Sequence, residues 1–103
     1  MIARKLARDP ELIWVADDGD AVVGAVVAGY DGVRGWLYHL AVAPEHRRRG
    51  VGTRLVRTAE ARLRALGCAK VNLQIRASNA AVAAFYSSIG YVEEPRISMG
   101  RVL

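Results

Sequence analysis

Three consecutive arginines followed by two glycines form the segment of this chain with the clearest chemical meaning. Positions 47–53 read Arg-Arg-Arg-Gly-Val-Gly-Thr. Glycines let phosphate oxygens approach the backbone closely, and the first turn of a helix offers unpaired N–H groups and the positive end of the helix dipole. The arginines add positive charge beside these donors. The segment is therefore typical of a pyrophosphate-binding loop that leads into a helix.

Two common nucleotide-binding motifs do not match this loop. A P-loop ends in Gly-Lys-Ser/Thr, and no lysine stands at positions 50–53. A dinucleotide-binding fingerprint has a third glycine three positions after the second, where this chain has Leu55. The sequence therefore indicates a different carrier of the pyrophosphate.

Positive charge is concentrated around the same loop. Between His46 and Arg64 the chain has seven arginines and one acidic residue, Glu60, which is +6 in a chain whose net charge is +5. This asymmetry is expected of a site that meets an anion, although an arginine-rich solvated helix face would have the same composition.

The elements that must position this loop follow from periodicity and turn signals. Apolar residues at spacings of three and four follow Gly50 and indicate an amphipathic helix that ends at Gly67. We expect helical turns at 2–8, strands at 12–16, 21–28, 35–42 and 70–76, helices at 51–66 and 79–89, and one or two strands within 91–103. This order predicts one mixed α/β (α+β) domain over residues 1–103 with a strand–helix–strand unit at its centre.

Composition excludes several classes of protein. A content of 52% hydrophobic residues at 24% charged residues excludes disorder. No apolar run approaches the roughly 18–20 residues that cross a bilayer, and no apolar stretch follows residues 1–5 as in a secretory signal. The one cysteine, Cys68, forms no internal disulfide and belongs to no zinc-ligand cluster. We expect an inert buried thiol, no metal and a cytoplasmic location.

Two blocks of the sequence resemble the GNAT superfamily of acetyl-coenzyme A (acetyl-CoA)-dependent N-acyltransferases. Positions 47–52 are similar to the family's Q/R-x-x-G-x-G/A motif. Asn79, followed by Phe85-Tyr86 and Gly90-Tyr91, is similar to its second cofactor-contacting block. The likeness covers roughly residues 12–103, and includes features of small bacterial members and of the ribosomal-protein alanine N-acetyltransferase branch.

The resemblance implies the GNAT fold, acetyl-CoA as cosubstrate and direct attack of a primary amine on the thioester. The amine belongs to a protein N-terminus or a small molecule. Tyr86 would protonate the leaving thiolate, and a backbone N–H of the third strand would polarise the carbonyl. The cofactor-binding residues that it implies are Leu40, Ala41, Val42, Arg47, Arg48, Arg49, Gly50, Val51, Gly52, Thr53 and Asn79.

The general base is not identified by the resemblance. The alanine N-acetyltransferase branch has a glutamate where this chain has Gln74, and an amide does not accept a proton at neutral pH. His39 is a candidate, because an imidazole can accept a proton near neutral pH. Strand alternation, however, predicts that it points away from its strand neighbours Trp36, Tyr38 and Leu40.

The sequence leaves several other candidates for the general base. We expect His46 to be a surface residue of the cofactor loop. Glu45, Asp31 and Tyr38 remain candidates, acting directly or through water, and a site that selects an already neutral amine needs no dedicated base.

The beginning of the chain departs from the resemblance. The superfamily usually starts with a strand and two helices that cover the acceptor cleft, whereas only about 11 residues precede the first clear strand here. A shortened N-terminus would leave a sheet face or edge uncovered, so we expect a homodimer. The contact would be residues 97–103 as a strand, unless that strand completes the sheet of its own chain.

Two other functions compete with the enzyme. A GNAT domain that binds acyl-CoA without turnover would explain Gln74. A nucleic-acid-binding module would use the arginines, but the aromatic residues are not interleaved with them. Tyr86 also fits a plain core position, and Asn79 a plain helix cap.

Overall fold

The computed structural model describes residues 2–7, 11–47 and 49–103, with side chains from Leu12 onward except at position 48. Its elements are β1 (Ile2–Ala7), β2 (Glu11–Asp17), β3 (Val22–Tyr30), β4 (Gly35–Val42), a 3-10 turn (Pro44–His46), α1 (Val51–Ala65), β5 (Val71–Leu73) and α2 (Ala80–Ser88). No helix in these ranges has the length and apolarity to span a membrane.

The five strands form one mixed sheet in the order β1-β2-β3-β4-β5. The first four pair antiparallel with their neighbours, and β5 is parallel to β4. A parallel pair needs a crossover connection, which α1 supplies. The architecture is the α+β arrangement predicted from the sequence.

Two aspartates close the hairpins that join β2 to β3 and β3 to β4. The Oδ1 atom of Asp18 accepts hydrogen bonds from the backbone N–H groups of Asp20 and Ala21. Asp31 does the same at the β3–β4 turn with Val33 and Arg34. These bonds stabilise the ionised form and lower the pKa of both carboxyl groups.

The core lies between α1 and one face of the sheet, which we term the inner face. The helix buries Leu55 and Leu63 completely, together with Val51, Val56 and Ala59. Glycine allows this close packing: a Cβ atom on Gly24 would lie 3.0 Å from Cδ1 of Leu55, and one on Gly35 would lie 2.8 Å from Sγ of Cys68. The Cys68 thiol is buried and donates to the carbonyl of Lys70.

The opposite, outer face carries half-buried apolar side chains. Ile13 and Val15 of β2 share this face with Ala25 and Val27 of β3, as the register of the two strands shows. Both helices pack on the inner side, where Tyr86 of α2 belongs to the same buried cluster as the α1 residues. No helix covers the outer face in the part of the chain that the structure describes.

Both ends of the chain differ from the sequence prediction. The expected helical turns at 2–8 are wrong, because residues Ile2–Ala7 pair with β2 as a strand. The expected strands in 91–103 are also wrong: this segment has no regular structure, and Ile97 and Met99 are 90% exposed. Pro95, which lacks a backbone N–H, interrupts any ladder at the start of that segment.

Candidate active site

The pairing of β4 with β5 stops halfway along β4. The last pair is Leu37 with Leu73, whereas β4 continues to Val42. We term the region beyond this pair the fork. In the fork the edge of β4 that faces β5 has no strand partner, so the backbone groups that alternate residues of this segment present on that edge are available to an extended ligand.

A β-bulge interrupts β4 at the start of the fork. Leu37 pairs with Ala28 and His39 pairs with Val27, so Tyr38 is an extra residue without a partner on β3. A bulge of this kind changes which side chains face which side of the sheet.

The bulge makes the alternation prediction for His39 wrong with respect to Trp36, whereas it holds with respect to Leu40. Residues in register share a face, so His39 lies on the outer face with Val27. Trp36, in register with Gly29, lies on that face as well. Leu40 is in register with buried Val26 and faces the core.

Tyr38 lies across the outer face over Gly29. A Cβ atom on Gly29 would lie 2.8 Å from Cε2 of the tyrosine ring and 2.9 Å from its hydroxyl. A cavity of about 420 Å³ at the fork is lined by Trp36, Leu37, Tyr38 and Gln74. The side-chain amide of Gln74 donates to Oγ of Ser98 at 2.8 Å. The fork therefore has a small cavity with aromatic walls.

The arginine–glycine loop ends in an uncapped helix N-terminus. Gly50 is the N-cap of α1 in the left-handed conformation, with φ of +79°, and no side chain caps the helix. The first turn has no acidic residue. The N–H groups of Val51, Gly52 and Thr53 thus lack a side-chain acceptor, which is the arrangement that binds anions.

The arginines of the loop differ in their surroundings. Arg49 is exposed beside the helix N-terminus. Arg47 reaches back to β4, where its Nε–H donates to the carbonyl of Val42 at 3.3 Å. Arg48 lies outside the described residues.

Gly52 brings the two helices and β4 together. A Cβ atom on Gly52 would lie 3.2 Å from Cζ of Phe85 and 3.6 Å from Cδ2 of Leu40. This side of Gly52 therefore faces α2 and the fork, and the glycine is needed for packing as well as for its N–H group.

Tyr86 is buried on α2, and its ring makes edge-to-face contacts. The ring centroids of Phe85 and Tyr91 lie 5.0 and 5.3 Å away. No described residue makes a hydrogen bond to the Tyr86 hydroxyl. Burial raises the pKa of Tyr86, so the hydroxyl keeps its proton at neutral pH.

A polar cluster fixes the end of α2 to α1. The Tyr91 hydroxyl donates to Oε2 of Glu60 at 2.7 Å, and Arg57 Nη1 donates to Oε1 of the same carboxylate at 2.7 Å. Arg57 Nη2 donates to the carbonyl of Ile89 at 2.7 Å. The position of the Tyr86 ring therefore depends on contacts that reach across to α1.

Asn79 caps α2, as its position in the sequence suggested. Its Oδ1 accepts a hydrogen bond from the backbone N–H of Val82 at 3.3 Å. The side chain is exposed, and its Nδ2 group has no partner among the described residues. The cap and a ligand contact are thus compatible.

The other candidate bases differ in their burial and in their contacts. The expectation that His46 is a surface residue is wrong, because its side chain is 14% exposed and Nε2 lies 3.5 Å from Oδ2 of Asp18. Asp31 holds its turn, and Glu45 is exposed in the turn before the loop. No group of three or more metal-ligating side chains occurs among the described residues.

Comparison with known proteins gives a consistent result. The Acetyltransferase (GNAT) family model matches residues 2–91. An acetyltransferase of Yersinia enterocolitica is 43% identical over 102 residues, which is 99% of this chain and 72% of that protein. One of Sodalis glossinidius is 44% identical over 90 residues, 87% of this chain and 63% of that protein.

Solved structures share the fold. The aminoglycoside N-acetyltransferase AAC(6')-Iy in complex with CoA has a TM-score of 0.83 at 19% identity, over 92% of this chain and 68% of that one. The aminoglycoside 6'-N-acetyltransferase AAC(6')-IG of Acinetobacter haemolyticus has a TM-score of 0.79 at 24% identity, over 93% of this chain and 73% of that one.

Proposed function

This chain belongs to the GNAT acetyltransferase family, and from that premise we propose that it transfers the acetyl group of acetyl-CoA to a primary amine. The observation that supports this proposal most directly is the fork. The free edge of β4 lies between the uncapped N-terminus of α1 and the helix that carries Tyr86. These three parts match the three parts of an acyl-CoA: pyrophosphate, pantetheine arm and thioester.

Acetyl-CoA is the cosubstrate of the family, and the described residues fit it. Backbone N–H groups at positions 49–53 would receive the pyrophosphate at a helix end that has no acidic residue. The pantetheine arm would lie along Leu40, Ala41 and Val42, which have no partner on that edge. Asn79 would contribute its free Nδ2 group to the same arm.

The reaction is a direct transfer. The lone pair of the amine attacks the thioester carbon, the C–N bond forms, and a backbone N–H of the fork stabilises the negative charge on the oxygen. The C–S bond then breaks. The Tyr86 hydroxyl gives its proton to the sulfur, a role suited to a phenol that burial keeps protonated.

The acceptor is a primary amine that fits the cavity at the fork. Trp36 and Tyr38 are aromatic walls of that cavity, and aromatic faces attract cationic amines. Several solved structures with this fold are aminoglycoside acetyltransferases, but they are less than 25% identical to this chain, so the likeness shows the fold and not the acceptor. A panel of amines is therefore the appropriate test.

A second candidate function is acyl-CoA binding without turnover. The observation that favours it is Gln74, an amide that is hydrogen-bonded to Ser98 at the position where a related branch has glutamate. Such a domain would bind the ligand but release no thiol.

One experiment separates these functions. Calorimetry with CoA and acetyl-CoA is followed by thiol release with sisomicin, spermidine and a peptide that begins with alanine. Binding with thiol release supports the transferase, and binding without release supports the non-catalytic domain. Failure to bind either thioester or thiol contradicts both, and binding of an oligonucleotide instead would favour a nucleic-acid module.

A further inference from the structure

An alkyl amine in water at neutral pH is mostly protonated, so a group at the fork that removes a proton from the acceptor would speed the transfer. The expected position for a carboxylate is Gln74, whose amide donates to Ser98. Asp31 is committed to two backbone N–H groups of its turn. His46 lies against Asp18 of the β2–β3 turn. None of these three side chains supplies a free base at the fork, and Glu45 lies beyond it in the turn before the arginine loop.

His39 is placed differently from what its sequence position suggests. Because of the bulge at Tyr38, His39 lies on the outer face, on the same side as Trp36. It stands two residues beyond Leu37, the last residue of β4 that pairs with β5. Its side chain is exposed, and no described residue makes a hydrogen bond to it.

The two faces of the fork differ in what covers them. On the inner face, Phe85 of α2 meets Gly52 of α1 beside Leu40, so helices occupy that side. The outer face has no helix over it within the described residues. A thioester held along β4 is therefore approached by an amine from the side on which His39 lies.

Resting on the function proposed above, we propose that His39 is the general base of the transfer. The ammonium form of the acceptor gives its first proton to the imidazole, which passes it to water; the neutral amine then attacks, and the imidazole takes the second proton from the nitrogen as the C–N bond forms. As the C–S bond breaks, Tyr86 gives its proton to the sulfur, and exchange with water restores both groups. Imidazole suits this role because it changes its protonation state near neutral pH.

Few charged groups face His39 from the neighbouring elements. On its own strand Tyr38 precedes it, and its partner strand β3 presents only Ala25, Val27 and Gly29 on this face. Further away on β2, Glu11 is in register with Gly29 and Asp17 lies at the end of the strand, and Arg4 of β1 is in register with Val15. Beside β5, Glu94 binds Lys70 and Asn72.

The test compares His39→Gln with His46→Gln, which removes the other histidine of the chain. The full chain is assayed with acetyl-CoA and the fastest amine among sisomicin, spermidine and the alanine peptide. We expect His39→Gln to lower kcat/KM about 10²-fold at the plateau and to remove the acidic limb of its pH profile. His46→Gln is expected to keep that limb. The melting temperature and the affinity for acetyl-CoA should not change in His39→Gln.

A second variant provides an independent measure. In His39→Ala, added imidazole should restore part of the rate, whereas it should not restore Tyr86→Phe. An acidic limb that persists in His39→Gln, or the absence of rescue, overturns the role of His39 while the transferase proposal stands. Binding of acetyl-CoA without transfer to any amine of the panel by the unmodified chain overturns the transferase proposal and His39 with it.

Discussion

A methyl group on Gly52 would lie 3.2 Å from Cζ of Phe85, so the first turn of α1 and the middle of α2 are in van der Waals contact at the end of β4. The helix N-terminus proposed to bind pyrophosphate and the helix that carries Tyr86 are thus one packed unit. A substitution at either residue of this contact should therefore shift the position of the other helix.

Gly52→Ala should therefore act on both stability and activity. The added methyl group forces the Phe85 ring or α2 to shift, which costs about 1–3 kcal/mol of unfolding free energy as in other overpacked sites. Because Tyr86 follows Phe85, kcat should fall as well. Chemical denaturation and steady-state kinetics measure the two effects.

The control is the double variant Gly52→Ala with Phe85→Leu. A smaller side chain at position 85 leaves room for the methyl group, so the two changes should not be additive. Additive losses would show that the cost at Gly52 does not come from the ring.

Arg49→Ala should weaken acetyl-CoA binding by roughly tenfold or more, since hydrogen bonds to charged groups contribute about 1.5–3 kcal/mol. Arg64→Ala is the matched control, because Arg64 is an exposed arginine in the last turn of the same helix. Calorimetry at two salt concentrations measures both. Equal losses in the two variants would mean that only the overall charge matters.

Tyr86→Phe and Tyr91→Phe should separate chemistry from stability. The Tyr86 hydroxyl has no hydrogen bond to a described residue, so its removal should leave the melting temperature unchanged and lower kcat about 10²-fold. The Tyr91 hydroxyl donates to Glu60, so its removal should cost about 1–3 kcal/mol of unfolding free energy with a smaller change in kcat. The reverse pattern would assign Tyr86 to the core alone.

The expected homodimer stays a prediction. Residues 97–103 do not form the strand that was to make the contact, and Val102 and Leu103 are fully exposed. The half-buried apolar outer face gives a second reason to expect association. Light scattering at micromolar concentration should give twice the 11.2 kDa of one chain, and a mass of one chain would contradict it.

Local patterns predicted the centre of the molecule well. The spacing of Val51, Leu55 and Leu63 predicted α1 and its buried stripe, and Asn79 predicted the start of α2. The pyrophosphate loop was recognisable because its features, namely glycines, charge and a helix start, are adjacent in sequence. The helix N-terminus has the uncapped form that this interpretation requires.

The errors lie where pairing between distant segments decides the outcome. The segment 2–7 has no strand pattern strong enough to be recognised, but it pairs with the edge of β2. The face on which His39 lies depends on one unpaired residue of β4, which only the partner strand reveals. The contact of Gly52 with Phe85 joins positions 33 residues apart, and no sequence pattern at either position predicts it.

The bulge at Tyr38 gives β4 one residue more than its pairing with β3 uses. Replacing Tyr38 changes one exposed side chain, since 55% of its surface meets solvent. Deleting it would leave Leu37 and His39 adjacent and paired in unbroken register with Ala28 and Val27, so His39 would stay on the outer face and Leu40 on the core side. A substitution or a single-codon loss at this position would therefore keep both faces of β4 and remove only the aromatic ring that lies over Gly29.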